Sequence, residues 1–143
     1  MQIELIVSQL KKDEGFIPVP FWDNDQWTYG YGCKAPGPFA TISKEEASVT
    51  LFRRAQAAVD DFYDIYAGCV MTERREHALV NMCFNLGETK LRKFKRMNAA
   101  VRANDWEKAA DEAKHSTWFE QLSIANNQKE ERAERIVREL KEG

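Results

Sequence analysis

Residues 14–32 read EGFIPVPFWDNDQWTYGYG. Pro18 and Pro20 lock φ and remove backbone donors, which excludes helix, while the aromatics and Thr28 suit paired strands. The polar cluster at 23–25 supplies a reversal. The pattern predicts a small antiparallel hairpin over residues 16–33, followed by a Pro/Gly-rich loop at 34–40. Two tight turns are compatible with it. A turn at Asp25-Gln26 sets Asn24 opposite Trp27 and Asp23 opposite Thr28. A turn at Asn24-Asp25 sets Asp23 opposite Gln26, with Thr28 diagonal to it on the same face. Either register puts Asp23 and Thr28 on one side of the ribbon and leaves Asp25 in the turn. Further on, alternation gives Thr28, Gly30 and Gly32 one face and Trp27, Tyr29 and Tyr31 the other. Such a bare face admits a bulky ligand to the backbone, or else the glycines simply mark bends.

Upstream, Ile3, Ile6, Val7 and Leu10 form the apolar stripe of a helix over residues 2–13, with Gly15 as its stop. The stripe continues by four residues to Glu14. A carboxyl at that point faces protein, where desolvation raises its pKa towards that of a proton donor near neutrality. Downstream, Ser43 and Glu46 form a capping box that opens a long helix to about residue 66. Thr72 caps a further helix ending near Gly87. A basic helix follows at about 89–102, Asn104-Asp105 restarts a short helix, Trp118 falls in a connecting segment, and a final amphipathic helix carries Ile136, Val137 and Leu140. The class is α+β: a small N-terminal lobe with a hairpin (about 13–58), a long connecting helix, and an all-helical C-terminal lobe (about 69–143), with helix 2–12 packing near the latter.

With 143 residues, 43% hydrophobic and 31% charged, the chain has the composition of a globular protein of one domain or two small lobes. It contains no apolar run of the roughly 18–20 residues a membrane span requires. At the start, MQIELIVSQLKKDEG carries Glu4 inside its short apolar stretch and its positive charge afterwards, the reverse of a secretory signal, so a cytoplasmic origin is expected. Cys33, Cys69 and Cys83 show no C-x-x-C spacing, and His77 and His115 lie far apart. That argues against a disulfide framework or a zinc site, and no cofactor or metal is expected. The net charge of −2 is uneven: residues 1–70 carry 6 basic against 10 acidic side chains, whereas 89–102 holds six basic residues and no acid. The basic segment is a candidate for contact with an anionic polymer or lipid surface, or is a solvated helix face. A net −2 suits nucleic acid poorly, and that partner is not expected. Nothing in the residues demands more than a monomer.

Two carboxylates flanking an open glycine face suggest glycoside hydrolysis, in which one acid protonates the leaving oxygen and the other carboxylate activates water. Glu14, eight residues, Asp23, then Thr28 and Gly-Tyr-Gly resembles the catalytic pattern of phage-type lysozymes, glycoside hydrolase family 24. FNLGET (84–89), Phe94, the Asp-Trp with its alanine pair at 105–110, and Trp118 resemble that family's C-terminal lobe in order and spacing. The resemblance implies a lysozyme-like fold and a muramidase cutting the β-1,4 bond between N-acetylmuramic acid and N-acetylglucosamine in peptidoglycan. Glu14 would be the general acid, Asp23 the carboxylate that orients water, and Thr28 its helper. The expected outcome is inversion, with carboxyls about 6.5–9.5 Å apart. Substrate would lie in a cleft with Gly30 and Gly32 on one wall and Phe84 and Asn85 on the other, although on pattern alone Phe84 is core. Trp106 and Trp118 read as core anchors.

One departure stands out. The family usually has a glycine and one more residue in this turn, whereas DNDQW is shorter and glycine-free; Asp25 is the alternative second carboxylate. The implied biology is an endolysin made in the host cytoplasm and delivered to the wall from the periplasmic side through a pore-forming holin. The competing readings are a wall-binding module without turnover and a helical nucleic-acid binder using 89–102.

Overall fold

The computed structural model describes residues 1–125 and 127–143, and side chains other than those of 123–131. The chain divides into two compact units, residues 2–56 and 57–143. It is a mixed α+β fold, with a three-stranded antiparallel sheet near the N-terminus, then a long helix and a helical remainder. No helix among the described residues is long and apolar enough to cross a membrane.

The first unit begins with α1 (Ile3–Glu14), whose stripe buries Ile6 and Leu10. Gly15 ends it at φ 69°, a left-handed value that suits glycine, and its N–H bonds the Lys11 carbonyl at 3.0 Å. Strand β1 (Ile17–Asp23) pairs with β2 (Gln26–Gly30), and β2 with β3 (Cys33–Lys34). Of the two possible turns, Asn24-Asp25 is the one formed, with Asp23 opposite Gln26, Trp22 opposite Trp27 and Phe21 opposite Thr28. Both turn residues have positive φ, 47° and 66°. A two-residue hairpin of this hand demands it, and Asn and Asp tolerate that region where Gln does not. Pro18 and Pro20 lie in β1, at the sheet edge, where missing donors leave no gap in a ladder. They coincide with a bulge, four residue steps from Ile17 to Phe21 against two from Thr28 to Gly30.

The short β3 corrects the loop expected from residue 34. Gly30 and Gly32, at φ 62° and 77°, turn the chain back so that Cys33 and Lys34 pair with Tyr29 and Thr28. Alternation therefore stops at Gly30, and the bare face does not run on to Gly32. The capping box before α2 (Lys44–Ile65) is present: Glu46 N–H donates to Ser43 Oγ at 3.1 Å, and Ser43 Oγ donates to Glu46 Oε1 at 3.0 Å. The boundary between the two units falls within α2.

The second unit holds α3 (Glu73–Leu86), α4 (Glu88–Arg92), α5 (Lys95–Arg102), α6 (Trp106–Lys114), α7 (Thr117–Ala125) and α8 (Asn127–Glu142). Helix α8 packs on α3, α6 and α7, and α5 on α6. Leu79, Met82, Leu91, Met97, Val101, Ile136 and Leu140 are fully buried. The basic stretch 89–102 is two helices, not the single one expected. Phe94, at ψ 61°, interrupts it, and α4 closes with tight i→i+3 bonds from Lys93 and Phe94 to the carbonyls of Lys90 and Leu91. The Asn98 side chain then donates to the Leu91 carbonyl at 2.9 Å and itself accepts the Tyr66 hydroxyl at 2.6 Å. Trp118 is likewise helical rather than in a connector, because Ser116 caps α7 by accepting the Phe119 N–H at 3.2 Å.

Candidate active site

Glu14 is the last residue of α1 and is half-buried. The α1–β1 connection is a single glycine and a phenylalanine, so the carboxyl emerges where helix gives way to sheet. Gly32 lies against it: a β-carbon placed on Gly32 would lie 3.0 Å from Glu14 Oε2. Only a residue without a side chain leaves the carboxylate in this position. Phe16 and Tyr31 meet as tilted rings with centroids 5.5 Å apart, with Lys11 Nζ 5.8 Å from the Tyr31 ring and Lys44 Nζ 5.7 Å from the Phe16 ring. Arg54 donates to the Tyr31 carbonyl at 3.2 Å, anchoring the β2–β3 turn that carries Gly32 to α2.

The hairpin sets the other polar groups. Asp23 ends β1 and is exposed; Asp25 sits in the turn and is also exposed. Thr28 is 3% exposed, in the middle of β2. Strand alternation puts Gln26 and Thr28 on one face, with Asp23 directly opposite Gln26 on the neighbouring strand. The Gln26 amide donates to Thr28 Oγ1 at 3.4 Å. Gln26 was not singled out from the sequence, although the register with Asn24-Asp25 at the turn already sets it beside both residues. On the opposite face Trp22 and Trp27 meet edge to face at 5.3 Å and clamp the end of the ribbon.

The two glycines behave differently. Gly32 is exposed and lies against the Glu14 carboxylate. Gly30 is buried, and a β-carbon there would meet Ala47 Cβ at 3.2 Å, Cys33 Sγ at 3.5 Å and Ile42 Cδ1 at 3.6 Å. Gly30 thus permits close packing of the sheet on α2 and does not present a bare surface. Cys33 is a structural thiol, pushed up by burial against the opposing pull of Arg54.

In the second unit Phe84 and Asn85 occupy the last turn of α3 and are half-buried. Asn85 Oδ1 accepts the Trp118 indole N–H at 2.9 Å, so the buried Trp118 orients the amide. Trp106 receives Arg75, whose guanidinium carbon is 4.5 Å from the ring centroid. Within the basic stretch, Arg92 pairs with Glu88 at 3.4 Å and Arg102 donates to the Ile65 carbonyl at 3.0 Å. Lys90, Lys93, Lys95 and Arg96 make no ion pair among the described residues. All four line one groove of about 750 Å³, whose apolar part includes Phe94 and Trp118 and which Glu112 also borders.

Asp61, Asp64 and Glu88 bring carboxylate oxygens within 4.8 Å of one another. The Asp61 carboxyl is held above its ordinary range by partial burial, then by the charge of Glu88 and a hydrogen bond with it. Asp64 in this cluster is exposed, and clusters of exposed carboxylates are common without a bound cation. The three cysteines are free thiols; burial pushes Cys83 up to about 12, which leaves it unreactive near neutrality.

Comparison with known proteins places the chain in a family. The chain is 28% identical over 145 residues to the pre-baseplate central spike protein Gp5 of Enterobacteria phage T4, a match covering 81% of this chain and 25% of that one. The chain thus spans about a quarter of that relative's length. Its fold matches the muramidase domain of SpmX from Asticaccaulis excentricus with a TM-score of 0.77 at 19% identity, over 95% of this chain and 94% of that one. The lysozyme-like α+β fold expected from the sequence is therefore present. The family model described as phage lysozyme matches residues 11–134, which include Glu14, the hairpin and most of the helical unit, and the chain belongs to the phage lysozyme family.

Proposed function

We propose that this chain is a muramidase hydrolysing the β-1,4 bond between N-acetylmuramic acid and N-acetylglucosamine in peptidoglycan. The observation that carries the reading is the Glu14 carboxyl at the end of α1, with room made for it by Gly32. In this scheme Glu14 gives its proton to the glycosidic oxygen as the C1–O bond breaks. A water on the other face of the sugar attacks C1 and passes a proton to Asp23, and the Thr28 hydroxyl holds that water in line. Gly32, Phe84 and Asn85 would contact substrate; Gly30 serves through the packing of the sheet. Peptidoglycan incubated with the purified protein should release N-acetylmuramic acid reducing ends, and Glu14→Gln should abolish release while remaining folded. Near-normal release by Glu14→Gln would remove the general acid from the scheme. An anhydro-sugar product would make the protein a lytic transglycosylase.

The biological setting proposed is that of an endolysin: a monomer made in the host cytoplasm and released to the wall through a holin. Family membership supports the chemistry and leaves this setting to experiment. Expression should lyse cells only when the inner membrane is permeabilised; lysis without permeabilisation would contradict holin dependence. The partial match to a spike protein favours a second setting, a lysozyme module of a larger particle-borne protein. Detection in purified particles, and not only in the lysate, would select it. The groove lined by Lys90, Lys93, Lys95 and Arg96 would meet anionic groups of the wall or of lipid. Converting Lys93, Lys95 and Arg96 to Glu should weaken co-sedimentation with isolated walls, and unchanged adhesion would leave the groove a solvated face.

A further inference from the structure

The short, glycine-free hairpin brings a third polar side chain, Gln26, beside Asp23 and Thr28. Closing the ribbon at Asn24-Asp25 makes Asp23 and Gln26 the last cross-strand pair and puts Gln26 two residues before Thr28 on the same face. The Trp22–Trp27 pair on the other face holds that end of the ribbon in register. Thr28 is almost fully buried and β-branched, so its χ1 has little freedom. Its hydroxyl has one proton to give and two lone pairs to offer. The Gln26 amide donates to Thr28 Oγ1 at 3.4 Å and fills one of those lone pairs.

We infer that Gln26 is a positioning residue: its amide fixes the Thr28 hydroxyl so that the remaining lone pair and the proton serve a water held next to Asp23. This rests on the muramidase reading and assigns to Gln26 a part in it that acts only through Thr28. A neutral amide is suited to that place. A carboxylate there would repel Asp23 directly across the ribbon, and a lysine would neutralise it. The shortened turn then has a consequence for the site, because it sets a long, flexible amide at the cross-strand position.

The test is a double-mutant cycle on soluble, uncross-linked peptidoglycan chains, with Gln26→Met and Thr28→Val. Methionine keeps the length of the side chain and removes the donor; valine keeps the shape of threonine and removes the hydroxyl. Gln26→Met should lower kcat by about 2- to 12-fold, the rate equivalent of one neutral hydrogen bond, with KM and the pH profile of kcat unchanged. In the Thr28→Val background the same change should cost nothing further. Equal losses in both backgrounds would make Gln26 merely structural and overturn the inference. A shifted acid limb in the pH profile would mean that Gln26 acts on Asp23 and would overturn it equally. Thermal unfolding of each variant shows whether it is folded, and Gln26→Asn provides a second removal of the contact, by shortening, with the same expected loss. Wild-type protein that releases no reducing ends would overturn the muramidase reading and this inference together. An active wild type, impaired by Thr28→Val and untouched by Gln26→Met, would sink the inference alone.

Discussion

Replacing Gly32 with alanine separates the two things this glycine does. Its φ of +77° lies in the left-handed region, and a β-carbon there would stand 3.0 Å from Glu14 Oε2 and 3.7 Å from Glu14 Cδ. Alanine in left-handed backbone costs about 1–2 kcal/mol. The stiffer unfolded chain returns about 0.4–1 kcal/mol, which leaves a net loss of about 1 kcal/mol, or roughly 2–4 °C in Tm. The carboxylate contact behaves otherwise. Relieving it to an ordinary separation moves the Glu14 oxygens by about 0.4 Å, which a side-chain end can do with little loss of stability. For a general acid the same shift is expensive: if a misplacement of about 1 Å costs about 100-fold, this one costs roughly 6-fold. Gly30→Ala is the matched control, since its β-carbon would press on Ala47 Cβ, away from the carboxylate. Reducing-end release per folded molecule, measured beside thermal unfolding, should show Gly32→Ala losing activity out of proportion to Tm. Gly30→Ala should do the opposite. Full activity in Gly32→Ala with a lowered Tm would refute the claim that the Glu14 carboxylate must stay where it is.

Three further outcomes are expected. Asp23→Ala should cost more activity than Asp25→Ala in the same release assay, and the reverse order would move the second carboxylate into the turn. Tyr66→Phe leaves buried Asn98 Oδ1 without the hydroxyl it accepts at 2.6 Å; the loss should be about 1–3 kcal/mol by denaturant titration, and no change would show that the bond carries no net stability. Asp61→Asn should stabilise the fold at pH 7 by about 0.5 kcal/mol. The folded Asp61 carboxyl is held above its unfolded value, so protonation favours the fold; that contribution is full below the unfolded value and is lost as pH rises through the folded one. The variant should therefore show a flatter dependence of Tm on pH between about 4 and neutrality, and an unaltered slope would argue against the pairing with Glu88.

The legibility of this chain followed the range of the forces involved. The α1 stripe, the stop at Gly15, the Ser43–Glu46 box and the Thr72 cap are local signals acting over three or four residues, and each lies where periodicity and capping chemistry placed it. Glu14 was legible for the same reason, as the continuation of an apolar stripe to a helix end. The missed features depend on residues that meet through the fold. The two-residue β3 exists because Gly30 and Gly32 reverse the chain, and alternation alone does not announce a reversal. The break at Phe94 is held by Asn98, whose amide bonds the Leu91 carbonyl and is itself fixed by Tyr66, 28 residues before Phe94 in the chain, so the hydrophobic pattern of 89–102 alone does not reveal it.

From the sequence alone came the order of helices and hairpin, the two candidate carboxylates, and the side of the ribbon that Asp23 and Thr28 share, because backbone periodicity imposes these whichever turn forms. The choice of Asn24-Asp25 over its competitor is local as well, since the turn demands two positive φ angles that Asn and Asp tolerate and Gln does not. Tertiary structure decided other things. It brought Gly32 against Glu14, turned Gly30 from an open face into a packing contact with α2, and set Trp118 to hold Asn85. Periodicity specifies which face a side chain takes, whereas its distance from a partner on another element is decided only when close packing brings the elements together.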